Sequence, residues 1–151
     1  MRVGDRPDLG GVAREEAVVA LGSFDTQASI AALIDVAANR DSTLREAAAR
    51  SLGRLRAIDG VPTLVGLIGF PSEPFRAAAL HALGRIGDRS AVTPIAAVLA
   101  DPDRSVRQCA RHALVQLGAV DQLKTGRARP WSLGGLDVRR ARAVGENRTR
   151  D

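Results

Sequence analysis

Few residues in this chain have the chemistry to catalyse a reaction or hold a metal. It contains two histidines, His81 and His112, one cysteine, Cys109, and no tyrosine. A single thiol excludes an internal disulfide framework or a thiolate zinc cluster. His81 and His112 lie 31 residues apart with no carboxylate at ligand spacing, a poor metal site and a plausible surface pair. Cys109 shares its place in a 31-residue period with Ala47 and Ala78, inside an apolar stripe. A buried structural thiol is expected there, not a nucleophile. The sequence has no Gly-rich phosphate loop, no nucleophile elbow around a serine and no His-x-x-x-His pair. The acidic pair Glu15-Glu16 falls near a helix start, where negative charge suits the dipole. These residues predict a non-enzymatic protein without cofactor or metal.

Arginine is the remaining chemistry. Arg14, Arg45, Arg76 and Arg107 recur at the same 31-residue step. Such a ladder can track phosphates. Acidic residues in the neighbouring turns (Asp35, Asp41, Asp59, Asp88 and Asp101) instead predict hydrogen bonds and ion pairs between repeats. The formal charge of +5 is unevenly spread. Residues 1–118 hold 14 basic and 13 acidic residues, whereas residues 119–151 hold 8 and 4. The tail arginines Arg127, Arg129, Arg139, Arg140 and Arg142 are therefore the candidate contacts to an anion or nucleic acid, with weak and salt-sensitive binding expected. Aromatics make up only 3% of the 151 residues, poor material for stacking on bases.

The elements that carry these residues follow from the period. Ala17, Ala48, Ala79 and Ala110 keep the step, as do Leu21, Leu52, Leu83 and Leu114. Gly22, Gly53 and Gly84 keep it too, and Val115 breaks it. Each copy reads as two helices. Leu44, Ala47, Ala48, Ser51, Leu52 and Leu55 form an i, i+3, i+4, i+7 stripe, repeated from Phe75 to Ile86 and from Val106 to Leu117. Asp41, Ser72 and Asp103 precede these helices as candidate N-caps, with Gly10 in the first copy. A second helix starts near Asp59 or Ser90, with Pro62 and Pro94 in its first turn. Neither helix buries its stripe alone, and stacked pairs bury all of them.

The run Arg76-Ala77-Ala78-Ala79-Leu80-His81-Ala82-Leu83-Gly84-Arg85-Ile86-Gly87-Asp88, followed by Ala91-Val92 and Pro94-Ile95, resembles the HEAT-like repeat first named from phycobilisome lyases. The resemblance implies an all-α solenoid of helix pairs, stacked as a right-handed superhelix. The expected organisation is a lead-in over 1–11, three full repeats and a truncated fourth over 12–125, and a basic, partly disordered Arg/Gly-rich tail over 126–151. It also implies a range of functions to test. Deoxyhypusine hydroxylases of this kind carry His-Glu pairs after the repeat arginine. The matching places here are Glu15-Glu16, Glu46-Ala47, Ala77-Ala78 and Gln108-Cys109, so no iron site is expected. A DNA glycosylase reading needs aromatics on a concave surface. Phe24 and Phe75 fall on core stripes, Trp131 lies outside the repeats, and only Phe70, at a turn, is expected to be exposed.

Bilin lyase subunits share the repeat, act with partner subunits and cradle a tetrapyrrole whose propionates want basic residues. The second helices are expected to line the concave side. Their outward positions, Asp35, Thr63, Gly66, Pro94 and Ala97, form a small and nearly uncharged strip without such a clamp. With Phe70 and Trp131 these are the candidate protein-binding residues. The expected function is a cytoplasmic protein-binding scaffold, with an accessory lyase subunit or similar maturation factor as the alternative. Its expected partner is another protein. At the N-terminal end Glu16 replaces the core residues Ala47, Ala78 and Cys109, as a cap requires. At the other end the second helix fails after about Lys124, and Leu114 and Leu117 are expected to lie open, inviting self-association. No apolar run is long enough to cross a membrane.

Overall fold

A computed structural model describes residues 9–39 and 43–124. Helices α1 (Leu9–Leu21), α2 (Gln27–Ala38), α3 (Arg45–Leu55), α4 (Val61–Ile68), α5 (Glu73–Ile86), α6 (Val92–Ala97), α7 (Arg104–Gln116) and α8 (Asp121–Lys124) follow in order, with no strand among the described residues. The odd-numbered helices pack in succession, α1 on α3, α3 on α5 and α5 on α7. The even-numbered helices form a second row, α2 against α3 and α4, α4 against α5, and α6 against α7. This is an all-α solenoid of helix pairs.

The stripes face one another between the rows. Ala48, Ala79 and Ala110 are completely buried, as are Leu52, Leu83 and Leu114 of the same helices and Leu33, Leu64 and Ile95 of the other row. Each buried leucine contributes roughly 1.5–3 kcal/mol. The alanines let the helices approach. The glycines let them approach further. A Cβ on Gly53 would lie 2.7 Å from the Ala82 Cα, and one on Gly84 would lie 3.1 Å from the Ala113 Cα. The Gly22-Gly53-Gly84 column is thus the line along which each odd helix receives the next.

Turn chemistry departs from expectation in detail. Asp103 caps α7, accepting from the backbone N–H of Ser105 at 2.7 Å and of Val106 at 3.4 Å. Ser72 precedes α5 without a side-chain cap bond. Gly10 lies inside α1, and Asp41 lies outside the described residues. Asp59 and Ser90 do not cap the second helices. Both sit within 3₁₀ turns, Ile58–Gly60 and Arg89–Ala91, that lead directly into α4 and α6. Asp88 is the capping residue of the latter turn, accepting from Ser90 N–H at 2.8 Å. The odd helices end on a shared device. Arg56, Gly87 and Gly118, each 31 residues apart, all have positive φ, at 51°, 82° and 67°.

The C-terminal end is closed more tightly than the sequence suggested. Leu114 and Leu117 are buried, not open. They face the interior of the stack, and the chain turns back at Gly118 so that Ala119 is buried and Leu123 of α8 packs on the core. What α7 exposes instead is Val115, with Val120 beyond it.

Candidate functional site

The Arg ladder is structural. Arg45 is 1% exposed. Its Nε donates to the Ala37 carbonyl at 3.2 Å, and an Nη donates to the Asn39 carbonyl, clasping the end of α2. Phe70 and Phe75 cover it, with ring centroids 4.2 and 5.0 Å from Cζ. Arg107 repeats the clasp two copies later, donating to the Asp101 and Pro102 carbonyls at 2.7 and 2.9 Å. Arg76 pairs with the Asp101 carboxylate at 2.5 Å. Phe70 and Asp101 occupy the same repeat position, 25 residues after Arg45 and Arg76. One socket is closed by a cation–π contact and the next by an ion pair. Arg14, at the end of the array, is exposed. Phe70 is accordingly half-buried beneath Arg45 and is not the exposed aromatic expected of it. Phe24, expected in the core, is 60% exposed.

The groove lies on the odd row. A cavity of about 790 Å³ runs across α1, α3, α5 and α7. The groove is thus formed by the first helices of the pairs, whereas the second helices were expected to line the concave side. Asp35 and Gly66 are exposed, and Thr63, Pro94 and Ala97 half-buried, all on the even row and none lining this groove. Trp131 and the tail arginines Arg127, Arg129, Arg139, Arg140 and Arg142 lie outside the described residues.

The groove floor is Ala47, Ser51, Ala78 and Ala82, the small residues that bring the helices together. Its two edges differ in charge. Toward the helix N-termini stand Glu15, Glu46 and Glu73; toward the C-termini stand Arg54, Arg85 and Gln116. Between them run Arg50, His81 and His112. Glu46 and Arg54 are eight residues apart on one helix, which separates the edges by about 12 Å, the diameter of a helix with its side chains. Arg50 is held by Glu46 in an i, i+4 pair. Arg54 donates to the Val19 carbonyl at 3.1 Å, tying α3 to α1. Arg85 has no such partner among the described residues and is exposed.

His81 and His112 do meet, edge to face, with centroids 6.1 Å apart. Cys109 is half-buried at the rim of the stripe, not within it. Its Sγ lies 3.5 Å from His81 Nε2. Burial pushes the thiol pKa up, and the charges of Glu73 and Asp103 push the same way, so it is protonated at neutral pH. No group of His, Cys, Asp and Glu among the described residues is arranged to hold a metal ion. The sequence did contain the groove's signal. Columns Arg50-His81-His112 and Arg54-Arg85-Gln116 flank the alanine stripe. Periodicity alone does not say which of two amphipathic rows carries a groove, and that was the missing step.

No described helix is long and apolar enough to cross a membrane. The profile of the HEAT repeats family matches residues 11–69 and again 67–125. Among solved structures the chain is similar to the complex of CpcE and CpcF of phycocyanin lyase from Nostoc sp. PCC7120. That likeness has a TM-score of 0.64 at 24% identity over 85% of this chain and 56% of that one. It is a likeness of fold, and the chain spans little more than half of the solved chain's length. Comparison with curated proteins gives no match. The two matched stretches take in every helix of the array, and the chain belongs to the HEAT-repeat family.

Proposed function

We propose that this protein is a non-enzymatic scaffold that grips a polypeptide segment in the groove across α1, α3, α5 and α7. The observation that carries the reading is the pairing of a small-residue floor with edges of opposite charge, at a spacing that fits one helix or strand. Arg85, His81 and His112 offer hydrogen-bond donors to a partner, and Glu15 and Glu73 offer acceptors. Cys109 does not line this groove, and the small pocket beside it that holds Cys109 carries a protonated thiol. Affinity purification from the native cell tests it, comparing the natural chain with Arg85→Glu/His112→Glu and with Asp35→Arg on the even row. The partner should be retained by the natural chain and by Asp35→Arg and lost from the groove variant. Retention by the groove variant contradicts the proposal.

A second reading, a subunit of a lyase-type maturation complex, draws support from the likeness to the CpcE–CpcF complex. The second-helix strip offers no clamp for propionates, and the groove is not that strip. Arg54 and Arg85 stand on one edge of it, as propionates require. Titration with a free bilin separates the two readings. A stoichiometric absorbance change, lost in Arg85→Glu/His112→Glu, favours the lyase-type role, and an unchanged spectrum favours the scaffold.

A further inference from the structure

The length, backbone and charge of the groove across α1, α3, α5 and α7 each restrict what lies in it. Packed helices sit about 8–10 Å apart, so the three steps from α1 to α7 span about 24–30 Å. A helix rising about 1.5 Å per residue covers that length with about 16–20 residues. The floor residues Ala47, Ser51, Ala78 and Ala82 all lie inside α3 and α5, whose main chain is already bonded within each helix. Ser51 donates its hydroxyl to the Val18 carbonyl at 3.4 Å. An extended segment gains affinity by pairing its main chain with an open strand edge, and there is no strand among the described residues. A helix brings its main-chain hydrogen bonds with it.

Each edge keeps two charges for a partner. On the acidic edge Glu46 is taken up by Arg50. That leaves Glu15, exposed on α1, and Glu73 on α5, which accepts from the neutral Ser105 hydroxyl at 3.1 Å. On the basic edge Arg54 donates to the neutral Val19 carbonyl, and Arg85 is exposed without a partner among the described residues. Glu15 and Glu73 are two helix steps apart, about 16–20 Å, which a partner helix spans in about eleven residues or slightly more. Arg54 and Arg85 are one step apart, about seven residues of such a helix. Both spacings are near whole numbers of turns, about two and three, so each pair is met from one flank.

We propose that the occupant of the groove is an α-helix of a different polypeptide, about 16–20 residues long and lying along the array. One flank carries two basic residues about eleven apart that face Glu15 and Glu73, and the other carries two acidic residues about seven apart that face Arg54 and Arg85. The inward stripe is small or hydrogen-bonding, because Arg50, His81 and His112 line the groove between its edges. The order of the flanks sets the direction of the helix, and exchanging them turns it end for end. The chain's own residues 125–151 do not answer this pattern, since Pro130, Gly134, Gly135 and Gly145 fall within them. This choice of occupant rests on the scaffold reading.

The probe is a synthetic alanine- and glutamine-rich helix of about 20 residues with lysines and glutamates at those spacings. Fluorescence anisotropy should show saturable binding to the full chain. A proline at the centre of the peptide should weaken binding about a hundredfold. Mixing both signs on each flank should weaken it about two- to fivefold for each pair lost. Arg85→Glu should weaken it about two- to fivefold, and one of the two single Glu→Lys peptides should restore it, which a misfolded variant does not do. A patterned helix that fails to bind, or binds no better than its proline or mixed-charge counterpart, overturns the proposal. A dimer of the natural chain that Arg85→Glu dissolves makes the occupant a second copy and overturns it too. So does a red shift of Trp131, the only tryptophan, as the unlabelled peptide binds, which makes the occupant residues 125–151. Retention of the native partner by Arg85→Glu/His112→Glu overturns the scaffold reading itself, whereas its loss beside an indifferent peptide overturns only the helix.

Discussion

Arg45 and Cys109 show how far the position of a side chain departs from its type. Arg45 recurs in a ladder that suggests phosphate contact, yet it is buried against two carbonyls and two rings. Replacing it leaves those carbonyls unmet. Arg45→Met is therefore expected to lower stability by about 2–4 kcal/mol. Arg14→Met, in the same column but exposed, should change it by less than about 0.5 kcal/mol. Urea titration of both variants checks the contrast, and equal effects would show that the clasp contributes nothing. Cys109 is the converse case, a thiol beside an imidazole that looks reactive in plan. Burial and two carboxylates raise its pKa, so less thiolate is present at any given pH than in an unfolded chain. Alkylation at pH 8 should be slower than in the denatured protein, with a midpoint displaced to higher pH. A midpoint at or below that of a free thiol would mean that His81 activates it. The recurrence of both residues was legible in the sequence. Their surroundings were not, because Phe70 and Asp101 fill equivalent sockets with unrelated chemistry.

At the scale of helices, glycine decides the spacing, and each glycine differs by where its missing Cβ would point. A Cβ on Gly53 meets the backbone of α5, whereas one on Gly66 in α4 meets nothing within 4 Å. Gly53→Ala should destabilise by about 1–3 kcal/mol despite the better helix propensity of alanine. Gly66→Ala, with the same propensity gain and no clash, should stabilise by up to about 1 kcal/mol. Arg56 adds a third case. Its φ of 51° is the conformation that Gly87 and Gly118 adopt at the same repeat position. Arg56→Gly should gain about 0.5–1 kcal/mol by relieving the left-handed strain. Thermal melts order the three variants, and a destabilising Gly66→Ala or a neutral Gly53→Ala would break the argument. The helices themselves, their stripes and their period were legible, since each stripe repeats at constant spacing. Their starts were less so. Asp59 and Ser90 are good capping residues that the chain places inside 3₁₀ turns, and Asp88 caps in their stead.

For the whole molecule, the order of the helices fixed the solenoid but not the use of its faces. Both rows are amphipathic, so the period 31 lets either row carry a groove. The structure puts the groove on the odd row, with Glu46 and Glu73 on one edge and Arg54 and Arg85 on the other. Likewise Leu114 and Leu117 look unpaired in sequence, because their cover comes from the turn at Gly118 and from Leu123 and not from a full second helix. The central claim is that a partner occupies the odd-row groove. Hydroxyl-radical footprinting of the purified complex tests it most directly, because both rows carry exposed oxidisable side chains. His81 and His112 lie in the groove, and Ile58, 63% exposed, lies in the turn before α4, outside it. Oxidation of both histidines should fall several-fold on complex formation while that of Ile58 is unchanged. Protection of Ile58 with His81 and His112 left fully reactive would place the partner on the even row and contradict the account.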